Sequence, residues 1–311
     1  MTRLMVWIGC GLFALVWLDE ARAQHELCIS IDGARTELSL PGRAPFHQTE
    51  AEVTEPRLIE VSDSTVLLAL WNERRAGGAV TAWYGISLDG EAVGKVCETS
   101  YALKLNYQEF DPLREVIVPE SLLMADASTQ VFIVQFVTQP LSVFRERLRD
   151  LGVGIHQFLP NHAYVVAMTD TVKQQVEALP YVRWVGPFHP AFRINATLRE
   201  RLVAGQGFDA EPYVVQVFER GLIQQGAVAE RIVTMGGSVG AITEEALHFP
   251  ADLTPRQVLA AVAWNEVAFV HRWEPPQPMM DIVRGASGAI YLERVPGSAR
   301  TCAGYKWIRF A

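Results

Sequence analysis

The sequence predicts an α+β fold: an N-terminal all-β domain followed by two tandem βαββαβ modules. Three observations carry that prediction. Residues 131–190 read as one complete strand-helix-strand-strand-helix-strand unit, residues 213–273 repeat its element order, and residues 24–125 hold short strand runs separated by turn signals.

The first unit is the most legible stretch. Residues 131–137 form an apolar, β-branched run broken only by Gln135, which predicts a strand. Pro140 opens a segment where Leu141, Phe144, Leu148 and Leu151 recur at three and four residues, the spacing of one helix face, and Gly152 stops it. A strand over 153–158, a Pro-Asn-His turn and a strand over 163–168 follow. Residues 169–171 offer capping chemistry to a helix carrying Val172, Val176 and Leu179, and residues 181–185 supply the fourth strand. This order is the split, ferredoxin-like arrangement, an antiparallel sheet with two helices on one face.

The second copy is visible as three matched segments. YVVQVF at 213–218 parallels FIVQF at 132–136, with Gln216 matching Gln135; MGGSV at 235–239 parallels LGVGI at 151–155; VAFVH at 267–271 parallels VRWVG at 182–186. The offsets of 81, 84 and 85 residues leave room for only a few insertions. Val228, Ile232 and Met235 mark one helix face. Thr254 and Pro255 pair an N-cap with proline at the first helical position, ahead of Val258, Leu259 and Val262.

Before the first unit, runs at 27–31, 36–40, 64–71, 79–87 and 101–105 alternate with turn pairs such as Asp32-Gly33, Pro41-Gly42, Gly77-Gly78 and Asp89-Gly90. The expected boundaries are therefore a β-rich domain at 24–125, modules at 126–190 and 212–275, a connector with a short polar helix at 191–211, and a linker with an unpatterned tail at 276–311.

Residues 1–23 read as a signal peptide: Arg3, an apolar run of 15 residues at 4–18, and Ala21-Arg22-Ala23 ahead of a cleavage point between Ala23 and Gln24. That run is shorter than an ordinary membrane span, so the expected location is secreted or periplasmic, with no stable membrane insertion after cleavage. Export permits disulfides. Cys28 and Cys97 bracket the first domain and are expected to pair, with two unconnected thiols as the alternative; Cys302 is left over in the tail. A net charge of -8 and a pI near 5.4 argue against a nucleic-acid partner, which needs clustered Lys and Arg.

The chemistry-bearing residues assemble no active site. Gly236-Gly237-Ser238-Val239-Gly240 has the spacing of a nucleophile elbow, but an elbow needs the serine between a strand and a following helix, and here the order is reversed. Asp252 and His271 lie downstream as chance partners. His156, His162, His189 and His271 come from separate elements, Glu244 and Glu245 sit in a hairpin, and neither zinc-ligand spacing nor a Gly-rich phosphate loop is present. The expectation is no catalytic residue, no metal and no cofactor.

VFIVQFVTQPL at 131, ALPYVRWVGPFHP at 178–190, ASGAIYLERVPG at 286–297, and SLDG with the later ETSYALKL between 87 and 105 together resemble the N-terminal pro-region of secreted bacterial subtilisin-like serine proteases. The resemblance implies ferredoxin-like propeptide modules, a subtilisin-like protease domain as partner, and a role as temporary inhibitor or folding chaperone. The chain departs from that family after Val295-Pro296-Gly297, where SARTCAGYKWIRFA stands in place of the strand carrying D-[ST]-G; no triad residue carries over. The implied product is a truncated or frameshifted precursor that is not itself an enzyme. A secreted binding or adhesion-type protein without a protease partner is the alternative expectation.

Overall fold

The computed structural model describes residues 26–105 and 108–274. The Ala23–Gln24 cleavage point, Cys302, and the linker and tail at 276–311 lie outside the described residues. By its internal contacts the chain divides into Met1–Arg272 and Trp273–Ala311, and the architecture below is that of the first unit.

The fold is mixed α+β, mostly sheet, with five α-helices among the described residues. Nine strands come first. β1 (Cys28–Asp32), β2 (Arg35–Ser39) and β3 (Pro45–Thr49) make a three-stranded antiparallel sheet. β4 (Glu52–Glu60), β5 (Leu67–Arg74), β6 (Val80–Ser87) and β7 (Lys95–Thr99) make a four-stranded one. β8 (Leu103–Leu105) and β9 (Gln108–Phe110) form a hairpin.

β5 shows why its run is almost wholly apolar. Its odd residues, Ala69 and Trp71, pack with Leu38 of the three-stranded sheet, while its even residues, Leu68 and Leu70, join a core that extends into the first βαββαβ unit. Glu73, buried on the odd side, is satisfied there: it receives hydrogen bonds from Thr49 Oγ1 (3.2 Å) and Trp71 Nε1 (3.2 Å) and lies 2.6 Å from His47 Nε2.

The expected Cys28–Cys97 disulfide is not formed; both are free thiols. The cause is strand parity. Cys97 lies opposite Tyr84 in the β6–β7 pairing, so its side chain shares Tyr84's face and packs toward the first βαββαβ unit, away from the three-stranded sheet. Cys28 is exposed on β1, with its Sγ 4.0 Å from the Glu26 carbonyl oxygen.

The first unit runs β10 (Val131–Phe136), α1 (Ser142–Asp150), β11 (Gly154–Leu159), β12 (Ala163–Ala167), α2 (Asp170–Glu177) and β13 (Val182–Pro187). The second runs β14 (Glu211–Val217), α4 (Leu222–Thr234), β15 (Ser238–Val239), β16 (His248–Leu253), α5 (Pro255–Ala263) and β17 (Val267–Arg272). Between them lie a 3₁₀ turn at Pro190–Arg193 and α3 (Ala196–Val203). The sheet orders are β11-β12-β10-β13 and β15-β16-β14-β17, all pairs antiparallel, so both copies place their second, third, first and fourth strands in the same sequence.

Local chemistry sets the helix ends. Thr169 accepts from the Val172 N–H and Asn195 from the Leu198 N–H, and Thr254 with Gln257 forms a capping box ahead of Pro255. Gly152, at φ +84°, ends the turn after α1 as the sequence predicts.

β10 is buried at all six positions. Phe132, Val134 and Phe136 pack with Phe144 and Leu148 of α1, Val176 of α2 and Tyr181; the Phe144 and Tyr181 rings stack 4.1 Å apart. Val131 and Ile133 face the other way, into a cluster with Leu103, Leu105 and Phe110 of the β8–β9 hairpin, Leu123 of the 3₁₀ turn Ser121–Leu123, and Phe192. That same cluster continues through Ile194 and Leu198 into the second unit's core at Val215, Ile232 and Val258.

Arg193, fully buried, fastens the connector to the second unit. Its Nη1 donates to the carbonyls of Trp264 (2.6 Å) and Val267 (3.2 Å), and its Nη2 to Phe188 (3.0 Å). Burial pulls its pKa down to about 10, with Glu266 opposing that shift, so it stays charged at neutral pH.

Replacing Phe144 by Ala is expected to cost about 3–5 kcal/mol, since it empties an enclosed aromatic stack. Ile223→Ala, at a side chain 93% exposed, is expected to stay within about 0.5 kcal/mol. Urea unfolding of the two variants checks both figures.

Candidate functional site

The two sheets have equivalent outer faces with different fates. Opposite Ile133 lie Val165 and Gly186, and opposite Gln135 lie Ala163 and Trp184. The second copy sets Pro250 and His271 against Val214, and His248 and Phe269 against Gln216. Ile133, Gln135, Ala163 and Val165 are fully buried under the hairpin and connector. Their counterparts Val214 and Gln216 are half-buried, and His248 and Pro250 are exposed.

The first copy's outer face is closed by fit as well as by cover. A Cβ at Gly186 would meet the Trp184 ring at 2.0 Å, so that indole lies flat over its own strand. In the second copy, His271 holds the equivalent place beside Phe269, with ring centroids 5.8 Å apart.

Ser238, Asp252 and His271 share the second copy's outer face by register. Ser238 Oγ donates to Asp252 Oδ2 (2.8 Å) across the β15–β16 pairing. His271 lies on the opposite edge strand, with β16 and β14 between, roughly 14 Å away at about 4.8 Å per strand. The serine is thus hydrogen-bonded to the carboxylate directly, and His271 lies too far from it to take its proton. The Gly236 φ of +80° belongs to the end of α4, as the sequence order implies.

The other predicted histidines sit where parts of the molecule meet. His156 stacks on Phe218 of the second copy, with centroids 4.4 Å apart. His162, held at φ +70° in the β11–β12 turn, lies 2.6 Å from Thr99 Oγ1 and edge-on to Tyr84. His189 Nδ1 accepts the Ala125 N–H at 3.0 Å. Burial lowers the pKa of all three: His162 to about 4, helped by Lys95; His189 with help from Arg193; His156 against an opposing pull from Glu219.

Sequence reasoning missed a buried polar network beside the first copy. Gln135 Nε2 donates to the carbonyls of Tyr101 (2.9 Å) and Asn161 (3.1 Å). Its Oε1 accepts from Arg183 Nη1 (2.8 Å), and Arg183 also pairs with Asp111 at 2.8 Å and stacks on the Tyr101 ring at 4.1 Å. The available signal was Arg183, a lone cation within a strand otherwise apolar. Glu244 and Glu245 join no such network among the hydrogen bonds and ion pairs described here.

No group of three or more His, Cys, Asp or Glu side chains suited to a metal occurs among the described residues. No helix among them is long and apolar enough to cross a membrane.

Residues 104–189 match a family described as a domain of unknown function (DUF8729), a span that covers less than half of the chain. It begins in the β8–β9 hairpin and runs through β13, so it joins the cover of the first copy's outer face to the copy itself. No curated protein matches, and no solved structure matches.

The histidines give a pH dependence. Their folded-state pKa values lie below the ordinary 6.5, so the unfolded chain binds protons first as pH falls. Stability is full above pH 6.5 and declines below it, for His162 until about pH 4. The urea midpoint is expected to be lower at pH 5 than at pH 7.5, with a smaller difference in His162→Gln; an identical difference in wild type and variant would contradict the assignment.

Proposed function

We propose that this chain is a non-catalytic, secreted or periplasmic pro-region of the subtilisin-like type, which binds a subtilisin-like protease domain as inhibitor or folding chaperone. In this reading both βαββαβ units are ferredoxin-like. The repeated element order and the repeated strand order support it.

The observation that carries the reading is the second copy's outer sheet face, which among the described residues is less covered than the first's. Exposed Pro250 and the half-buried Val214 and Phe269 offer apolar area there, and the exposed His248, Asp252 and Ser238 a polar margin, the composition of a protein-binding patch rather than of a reaction centre. The first copy has the same topology but keeps its face for the chain's own hairpin and connector, so the docking role falls to the second. The distance between Ser238 and His271 supports a role by binding, not by acyl transfer.

The purified protein is expected to slow cleavage of a peptide substrate by a subtilisin-type protease at micromolar concentration or below. Pro250→Glu combined with His248→Glu, both at exposed positions, is expected to weaken that inhibition at least tenfold by placing unpaired charge on the face. Indifference across several such proteases would contradict the proposal, as would full inhibition by the double variant.

A further inference from the structure

The described residues also enclose a cleft of about 650 Å³ between the four-stranded sheet and the first copy, a size typical of ligand sites. Thr54, Arg57, Asn72 and Arg74 line one wall; Tyr101, Arg114 and Arg183 line the other. Four guanidinium groups against two carboxylates, Glu55 and Asp111, is a concentration of positive charge in a chain whose net charge is -8. Both Asp111 oxygens are engaged by Arg183, and Glu55 accepts from Asn72 Nδ2 at 2.9 Å.

The remaining cations have donors to spare. Arg74 reaches Glu52 only at 3.4 Å and Arg114 reaches Asp111 only at 3.5 Å, all but Asp111 largely exposed. No ion pair to Arg57 occurs among the described residues.

Arg57 reaches the cleft because of a backbone irregularity. Thr54 pairs with Asn72 and Arg57 with Leu70, so two β4 residues, Glu55 and Pro56, stand opposite the single residue Trp71. Without that bulge, strand alternation would turn Arg57 to the sheet's other face, against the three-stranded sheet. The bulge holds Glu55 at φ +53°, a conformation unfavourable for a residue with a side chain. A strained, one-residue insertion that aims a cation into a cleft is the kind of feature that marks a binding site.

We propose that this cleft binds an acidic peptide segment, whose side-chain carboxylates pair with Arg57 and Arg114. A sugar chain would need a free aromatic face to stack on. Tyr101 offers its ring on this side, and Arg183 covers it; Trp71 and Trp83 also border the cleft, but by strand parity their indoles pack on the opposite face of the sheet, with Leu38 and Phe46. Guanidinium and carboxylate match as planar, two-point partners. This site is separate from the second copy's outer face, so its failure would leave the protease-binding reading untouched.

Fluorescence anisotropy of a labelled deca-glutamate peptide with the full-length protein tests it, beside deca-lysine and an oligo-galacturonate of similar charge. Saturable binding of the glutamate peptide alone is expected, weakened at least tenfold in Arg57→Gln and in Arg114→Gln. Arg43→Gln, at an exposed arginine paired with Glu91 outside the cleft, is expected to bind as wild type. No binding of the glutamate peptide, equal losses in all three variants, or preference for the oligo-galacturonate would overturn the proposal.

Discussion

A strand with no solvent face is the constraint on which this structure depends. Once β10 is buried on both sides, the first copy cannot be a free-standing two-layer unit. Its inner face takes α1 and α2, its outer face takes the β8–β9 hairpin and the connector, and the connector hands the same core on to the second copy. The two first strands have similar sequences but different burial: VFIVQF is buried at every position, whereas EPYVVQV is buried only at alternate ones, a strand with one covered face. The one polar side chain in β10, Gln135, must then be satisfied inside, and it recruits Tyr101, Asn161 and Arg183 to do so.

A repeated strand order with unequal covering distinguishes the two sheets. Small or aliphatic residues at Ala163 and Val165 admit a close cover; His248 and Pro250 at the same register positions meet solvent instead. The family match from 104 to 189 fits this asymmetry, since it takes in the covering hairpin together with the copy that it covers. The joints between parts rest on a few specific contacts: the buried Arg193, the His156–Phe218 stack, and Asn265, which accepts from the Gln130 N–H and donates to the Ser128 carbonyl.

Much of this was legible in the sequence, and the misses have physical causes. Helices over 142–150 and 255–263 announced themselves by stripe and cap, and all the strands of the first unit fell within a few residues of their predicted bounds. β4 escaped notice because Pro56 and several charges break its alternation, which is what an exposed, bulged edge strand looks like. β3 and β7 are likewise edge strands with mixed polarity. The cysteine pairing failed because spacing says nothing of strand parity, and parity sends Cys97 to the face away from β1. For the candidate site, the sequence order put Ser238 after a helix and before a strand, and that is the order observed. It did not reveal which of two matching sheets the described residues cover more fully, because that depends on where the hairpin and connector fold back.

The claim most in need of a direct test is that the first copy's outer face is internal and the second's is the docking surface. Amide hydrogen exchange of the protein, alone and mixed with an inactivated subtilisin-type protease, measures both halves at once. The account predicts that β10 and β12 exchange slowest in the free protein and do not change, while β14, β16 and β17 gain protection in the mixture. Fast exchange in β10, or new protection confined to the first copy, would contradict it.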